Sequence, residues 1–196
     1  RSIGITGGIG SGKSVVSSLL RVMGYPVYDC DEEARKVMHY PSVKASLVDT
    51  FGTAVFKNGM LDRKEMANRV FGNKEQLLRL NAIVHPAVRT DFFEWMRKQN
   101  TSLVFIESAI LYESGLHMEV DEVWFVTAPQ ELRIDRVMSR SGLSREEVLR
   151  RIDSQMKEAE KGEKANVTII NDGEKALIPQ LEACLLYTSP SPRDRG

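Results

Sequence analysis

Five short stretches of this chain are almost wholly apolar: Ile3-Gly4-Ile5-Thr6, Val27-Tyr28, residues 102–107, Glu122-Val123-Trp124-Phe125-Val126 and Val167-Thr168-Ile169-Ile170. Each has the length of a buried strand. Elsewhere apolar residues recur at helical spacing, first over 15–23. Residues 32–99 are nearly all of this kind. A helix is expected over 32–39, and another over 42–51, started by Pro41 and stopped by Gly52. Asp62-Arg63-Lys64-Glu65 has the form of an N-terminal cap for 66–71. Gly72-Asn73 breaks the pattern, and a helix follows through Leu77, Leu78, Leu80 and Ile83. Residues 53–58 read as a small hairpin or a loop. This block holds no strand of a central sheet. It predicts a helical insertion over about 32–100 in a core made of 1–31 and 101–185.

Between the first strand and the first helix lies Gly7-Gly8-Ile9-Gly10-Ser11-Gly12-Lys13-Ser14, two glycines five positions apart followed by Lys and Ser. This is the phosphate-loop pattern in the strand–turn–helix context that it requires. Glycine lets the backbone adopt positive φ and approach an anion closely. Successive N–H groups then face phosphate oxygens, and the helix N-terminus adds partial positive charge. The binding set is Gly8, Gly10, Ser11, Gly12, Lys13, Ser14 and, through its backbone N–H, Val15. Lys13 is placed on the β- and γ-phosphates of ATP, and the Ser14 hydroxyl on Mg²⁺.

Carboxylates stand at two other strand ends. Asp29-Cys30-Asp31 follows Val27-Tyr28, where ligands of open parallel sheets collect. One of the pair accepts a proton from an attacking hydroxyl, and the other holds Mg²⁺ through water or orients the nucleophile. Either also suits the cap of the helix beginning near Glu32. Glu107 closes the third strand and is a second candidate for Mg²⁺ or its water, against the plainer reading of a solvent-facing acid.

Within the insertion, His85-Pro86 reads either as a structural His in a kinked helix or as part of an acceptor site, with Arg89 one turn beyond as a cation for a substrate phosphate. Such insertions are how small-molecule kinases commonly select the acceptor. Thr127-Ala128-Pro129-Gln130 signals a helix start, after which Arg133, Arg136 and Arg140 fall on one face. Ser144-Arg145-Glu146-Glu147 is a capping box for a helix carrying Arg150, Arg151 and Gln155. This Arg-rich segment, about 133–160, reads as a lid closing on phosphates, or as a salt-bridged surface shared with Glu131, Asp135, Glu146 and Glu147. The turn Asn171-Asp172-Gly173 stands at the last strand end, where Asn171 touches the ATP base or simply makes a turn. A helix over 174–185 closes the fold, and 186–196, with its Ser, Pro and Arg, is expected to be disordered and foreign to the natural protein.

Lys plus Arg equal Asp plus Glu at 27 each, so no bulk basic field argues for nucleic acid. Cys30 and Cys184 match no metal spacing and suit a reducing compartment. No apolar run reaches the length of a membrane span, and no signal peptide is visible, so a cytoplasmic location is expected. The chain opens at Arg1 without Met, which suggests a first strand clipped by a few residues.

Taken together, the motifs resemble the dephospho-coenzyme A kinase family over about 3–185. The resemblance is carried by Thr6-Gly7-Gly8-Ile9-Gly10-Ser11-Gly12-Lys13-Ser14, by Asp29-Cys30-Asp31 with Ala34-Arg35, and by Leu80-Asn81-Ala82-Ile83-Val84-His85-Pro86. The run 130–140 with Arg151-Ile152 and Gln155, and residues 165–173, add to it. It implies an α/β fold with a P-loop NTPase-like parallel sheet of five strands flanked by helices, a helical acceptor domain and a lid. It implies ATP-dependent phosphorylation of the ribose 3′-hydroxyl of dephospho-coenzyme A. No nucleic acid or membrane partner is expected, and the sequence does not report the oligomeric state, for which a monomer is favoured. It further implies Asp31 as general base, Asp29 as supporting acid, and Lys13, Arg140 and Arg136 as cations on the phosphates. His85, Arg89 and Asp31 fall to the acceptor, and Ser14 and Glu107 to the metal. The chain departs from the family at Val15, where Thr is usual, and at Glu107 and Ala109, where Asp and Pro are usual. Rival readings are another P-loop nucleoside or small-molecule kinase, and a non-catalytic nucleotide-binding switch. A GTPase would carry Asn-Lys-x-Asp, and Asn73-Lys74-Glu75-Gln76 lacks the Asp.

Overall fold

A computed structural model describes residues 1–188 of the chain. In chain order the strands and α-helices are β1 (Ser2–Thr6), α1 (Lys13–Val22), β2 (Val27–Asp29), α2 (Cys30–Val37), α3 (Pro41–Phe51), β3 (Phe56–Lys57), β4 (Met60–Leu61), α4 (Arg63–Val70) and α5 (Lys74–Arg97). They continue with β5 (Val104–Glu107), β6 (Glu122–Thr127), α6 (Gln130–Ser141), α7 (Arg145–Asp153), α8 (Glu158–Lys164), β7 (Val167–Ile170) and α9 (Leu177–Thr188). The chain divides into two compact units, one made of Arg1–Val27 with the chain from Thr101 onward, the other of Tyr28–Asn100.

The first unit is built on β5, β1, β6 and β7 of a five-stranded sheet whose order is β2-β5-β1-β6-β7. β1 pairs in parallel with β5 and β6, and β6 with β7. Strands buried on both faces must be apolar throughout, which is why they read as runs rather than alternations. One face packs Ile3, Ile5, Phe105, Trp124 and Ile169 with Val16 and Leu20 of α1 and Leu181 of α9. At Gly4 a Cβ would lie 2.6 Å from the Leu111 side chain, so the other face is equally close-packed. Ile5 stands opposite Glu107, and Ser108 N–H donates to the Ile5 carbonyl at 2.9 Å. This register brings the end of β5 level with the start of the glycine loop. Behind the loop, Ile134, Val137 and Val148 of α6 and α7 form a second apolar seam, against which Ile9 packs.

The second unit is helical with one small hairpin. Asn58 and Gly59, at φ 53° and 78°, make the tight turn between β3 and β4, an Asn-Gly pair suited to positive φ. Asp62 caps α4 by accepting from Glu65 N–H at 3.1 Å. α5 runs 24 residues without a break through Pro86, which lacks an N–H and so leaves the Ala82 carbonyl without its helical donor. Asp91 of α5 accepts from the Tyr28 and Tyr40 hydroxyls, each at 2.7 Å. Burial first, then the bond to Asp91, raises the Tyr28 phenol far above its ordinary range, while the Asp91 bond first, then burial, pushes Tyr40 up to about 12. Both stay protonated and pin the start of this unit to its longest helix.

The structure departs from the sequence reading at several points. α7 ends at Asp153, so Gln155 lies beyond it and is not carried by the helix. α9 begins at Leu177, because Asp172 turns the chain by accepting from Glu174 and Lys175 N–H at 2.9 Å each. It continues to Thr188, so Leu186, Tyr187 and Thr188 are helical and not disordered, with the Thr188 hydroxyl bonded to the Leu185 carbonyl at 3.1 Å. The rest of the expected tail, 189–196, lies outside the described residues. α8 was not expected at all: its sequence, Glu-Ala-Glu-Lys-Gly-Glu-Lys, has no apolar stripe, yet it buries Lys161.

Candidate active site

The glycine loop owes its shape to side chains that hold its carbonyls. Arg133 Nε donates to the Ile9 carbonyl at 3.0 Å, Arg136 to the Gly10 carbonyl at 3.2 Å, and Asn171 Nδ2 to the Ser11 carbonyl at 3.1 Å. In a trans peptide the N–H points opposite to the C=O. Three carbonyls held outward therefore turn the amides of Gly10, Ser11 and Gly12 the other way. Ser11 N–H closes a turn onto the Gly8 carbonyl at 3.1 Å. The amides of Gly10, Gly12, Lys13 and Ser14 have no acceptor among the described residues. Gly12 is the N-cap of α1 and supplies no side-chain bond, so the helix N-terminus is open to an anion.

The glycines are required by close approach. Gly10, at φ 79°, would put a Cβ 2.5 Å from the Arg133 carbonyl. At Gly8 a Cβ would meet the Arg133 guanidinium and the Glu158 carboxylate, and at Gly12 the Asn171 amide. Arg133 is buried, with 2% of its side chain exposed, and pairs with Glu158 at 3.3 Å. Glu158 also accepts from the Thr127 hydroxyl at 3.0 Å. Ile9 N–H donates to Gln155 at 3.1 Å, so the segment after α7 joins the same brace.

The structure places the expected cations differently from one another. Arg136 donates to the Gly10 carbonyl at 3.2 Å and to the Asn171 carbonyl at 2.7 Å, so two of its five N–H donors brace the loop. Asn171 likewise holds the loop from behind. Arg140 is exposed and makes no hydrogen bond or ion pair among the described residues. Lys13 is half-buried and also without a protein partner there. Val15 is exposed and reaches the loop only by its backbone.

Glu107, 5% exposed, is not the solvent-facing acid of the plainer reading. Its Oε1 accepts from Ser14 Oγ at 3.2 Å and its Oε2 from Ser17 Oγ at 2.7 Å. Sequence reasoning missed Ser17, since nothing in helical periodicity says which buried serine meets an acid. It also missed Lys161, fully buried, which donates to the Ala109 carbonyl at 3.0 Å and lies 3.6 Å from Glu113. Burial lowers the Lys161 pKa against the raising fields of Glu113 and Glu158.

The second unit carries the other expected residues. Asp29 is the N-cap of α2, its Oδ1 accepting from Asp31 N–H at 3.0 Å and Glu32 N–H at 3.2 Å. Asp31 is exposed, and its carboxylate makes no hydrogen bond or ion pair among the described residues. It lines a cavity of about 690 Å³ whose wall includes Met38, Met60, Leu61, Met66 and Val70 together with Arg35 and Arg63. His39 fixes that wall: Nδ1 lies 2.7 Å from the Arg35 carbonyl and Nε2 accepts from Leu61 N–H at 3.2 Å. His85 and Arg89 share one face of α5. His85 is half-buried, and burial, then the neighbouring Arg89 charge, lowers its pKa.

An open anion-binding loop, braced from behind and set at the carboxyl edge of a parallel sheet, defines the class of P-loop nucleotide-binding proteins. Known proteins narrow that class. The sequence model of the Dephospho-CoA kinase family matches residues 1–176. A Dephospho-CoA kinase of Bacteroides fragilis is 48% identical over 181 residues, covering 91% of this chain and 88% of that protein. The crystal structure of TT1252 from Thermus thermophilus has a TM-score of 0.86 at 43% identity, covering 96% of this chain and 98% of that one. Dephospho-CoA kinase from Campylobacter jejuni follows at 0.67 and 28%, with 95% and 94% covered. This chain belongs to the dephospho-CoA kinase family.

Proposed function

We propose that this protein transfers the γ-phosphoryl group of ATP to the ribose 3′-hydroxyl of dephospho-CoA, giving CoA and ADP, the last step of coenzyme A biosynthesis. The single observation that carries the reading is a family likeness running over residues 1–176 and including the whole glycine loop.

The residues fit the nucleotide and its metal. The free amides of Gly10, Gly12, Lys13 and Ser14 suit phosphate oxygens. Ser14 and Glu107 are hard oxygen donors of the kind Mg²⁺ takes. No cluster of three or more His, Cys, Asp or Glu that could hold a metal ion lies among the described residues; phosphates and water would complete the coordination of Mg²⁺. Bound there, Mg²⁺ supplies positive charge to the phosphate oxygens.

In this reading Lys13 and the loop amides hold the β- and γ-phosphates, and Arg140 adds charge to the group in transfer. Arg133 and Arg136 keep the loop in shape. Asp31, whose carboxylate is uncommitted, takes the proton of the 3′-hydroxyl, and Asp29 holds the start of α2 that carries it. The apolar wall beside Asp31 receives the pantetheine arm of the acceptor, Arg35 and Arg63 its diphosphate, and His85 and Arg89 a further polar part. The lid over about 133–160, the acceptor domain over about 32–100, a monomeric state and a cytoplasmic location belong to the same reading. No helix among the described residues is long and apolar enough to cross a membrane.

The test is a coupled ADP-release assay with dephospho-CoA, adenosine, nucleoside monophosphates and pantothenate, with Lys13→Ala as control. Turnover with dephospho-CoA alone, abolished by Lys13→Ala, supports the reading. Preference for any other acceptor refutes it.

A further inference from the structure

The phosphate-loop pattern ends at Ser14 and gives Ser17 no task. Ser17 lies one turn further along α1 and on the same side, so both hydroxyls reach Glu107. The two bonds differ. Ser17 is fully buried and its bond to Oε2 is 2.7 Å, whereas Ser14 is exposed and its bond to Oε1 is 3.2 Å. A helical serine has an easier partner in the carbonyl four residues back. Ser18 makes that bond, to Ser14 at 3.0 Å, and Ser46 makes it to Ser42 at 3.1 Å. Ser17 reaches instead across to the strand end. A glutamate there has three side-chain torsions to restrain, and tying one carboxylate oxygen to a buried donor leaves the other little room to wander.

We propose that Ser17 is a positioning residue for the metal site: by fixing Oε2 it keeps Oε1 of Glu107 aimed at Ser14, where magnesium nucleotide is bound. This rests on the reading of Ser14 and Glu107 given above. Groups behind direct metal ligands typically change metal affinity by about 10–100-fold when removed. Ser17 therefore governs how much Mg²⁺ the protein needs, and not how it grips bare phosphates, because the loop amides do not depend on it.

The experiment uses the full chain and a fluorescent ADP analogue, titrated with nucleotide in EDTA and, separately, with Mg²⁺ at fixed nucleotide. For Ser17→Ala, the Mg²⁺ concentration at half-effect rises by about tenfold, while affinity for nucleotide in EDTA stays within twofold of the parent protein. Ser17→Thr, which keeps the hydroxyl, restores the Mg²⁺ dependence. A Ser17→Ala protein whose Mg²⁺ requirement is unchanged, with or without a lower Tm, overturns the proposal. So does equal weakening with and without Mg²⁺. A parent protein that binds nucleotide independently of Mg²⁺, or a Glu107→Gln protein with normal Mg²⁺ dependence, would instead bring down the metal assignment itself.

Discussion

Arg133→Met isolates the brace behind the phosphate loop. The substitution keeps an unbranched chain of similar length and removes two interactions of a side chain only 2% exposed, the donation to Ile9 and the pair with Glu158. Breaking a buried ion pair by deleting one partner costs about 3–5 kcal/mol when the survivor is buried. Here Glu158 is 28% exposed and keeps the Thr127 hydroxyl, which lowers its share. Orphaning a buried carbonyl costs about 1–3 kcal/mol. The expected total is about 2–4 kcal/mol, or a fall in Tm of about 5–15 °C for a chain of this length. With the Ile9 carbonyl released, the next amide is no longer preset toward phosphate, and ADP affinity falls by about tenfold, equivalent to about 1.4 kcal/mol. Thermal unfolding followed by circular dichroism reads the first quantity and isothermal titration with ADP the second. Leu181→Ala, a cavity in α9 on the apolar face of the sheet, is the control. It costs about 2–5 kcal/mol and leaves ADP affinity unchanged. An Arg133→Met protein with parental Tm and parental ADP affinity would refute the brace.

Three further outcomes follow from the same geometry. Asp31→Asn lowers kcat by about 10²–10⁴ if the carboxylate is the general base, with ADP affinity preserved; a loss under about threefold in steady-state assays, outside that range, would leave it no such role. His85 has a pKa lowered from 6.5 in the folded state, so its neutral form is favoured there. Its contribution to stability is present above 6.5 and is lost as pH falls through the lower folded value. His85→Gln should therefore flatten the Tm–pH curve below 6.5, and an unchanged curve would contradict the assignment. Lys161→Met leaves the Ala109 carbonyl without its donor and should cost about 1–3 kcal/mol in urea denaturation; no loss would mean that Lys161 holds nothing in place.

Much of this protein is legible in its sequence because the relevant signals are local. The glycine loop, the capping box at Ser144, the cap at Asp62 and the five apolar runs each depend on residues a few positions apart. What escaped depends on partners far along the chain. The spacing of Arg133, Arg136 and Arg140 correctly puts them near one face of α6, but not that two of them meet loop carbonyls more than a hundred residues away while the third meets none. Asp29 offered both a cap and a chemical role, and only the three-dimensional hydrogen bonds show the cap. His85-Pro86 suited either a kinked helix or an acceptor site, and α5 runs through Pro86 with Val84, Val88 and Phe92 buried on either side of it. α8 has no apolar stripe to betray it, since its buried position is a lysine.

In this reading the free main-chain amides at the start of α1 grip the phosphates. Backbone NMR of the protein titrated with ADP tests it most directly. On binding, the amide protons of Gly10, Gly12, Lys13 and Ser14 should move downfield together as they gain charged acceptors. Saturating ADP that leaves these four signals in place, while others shift, would contradict it.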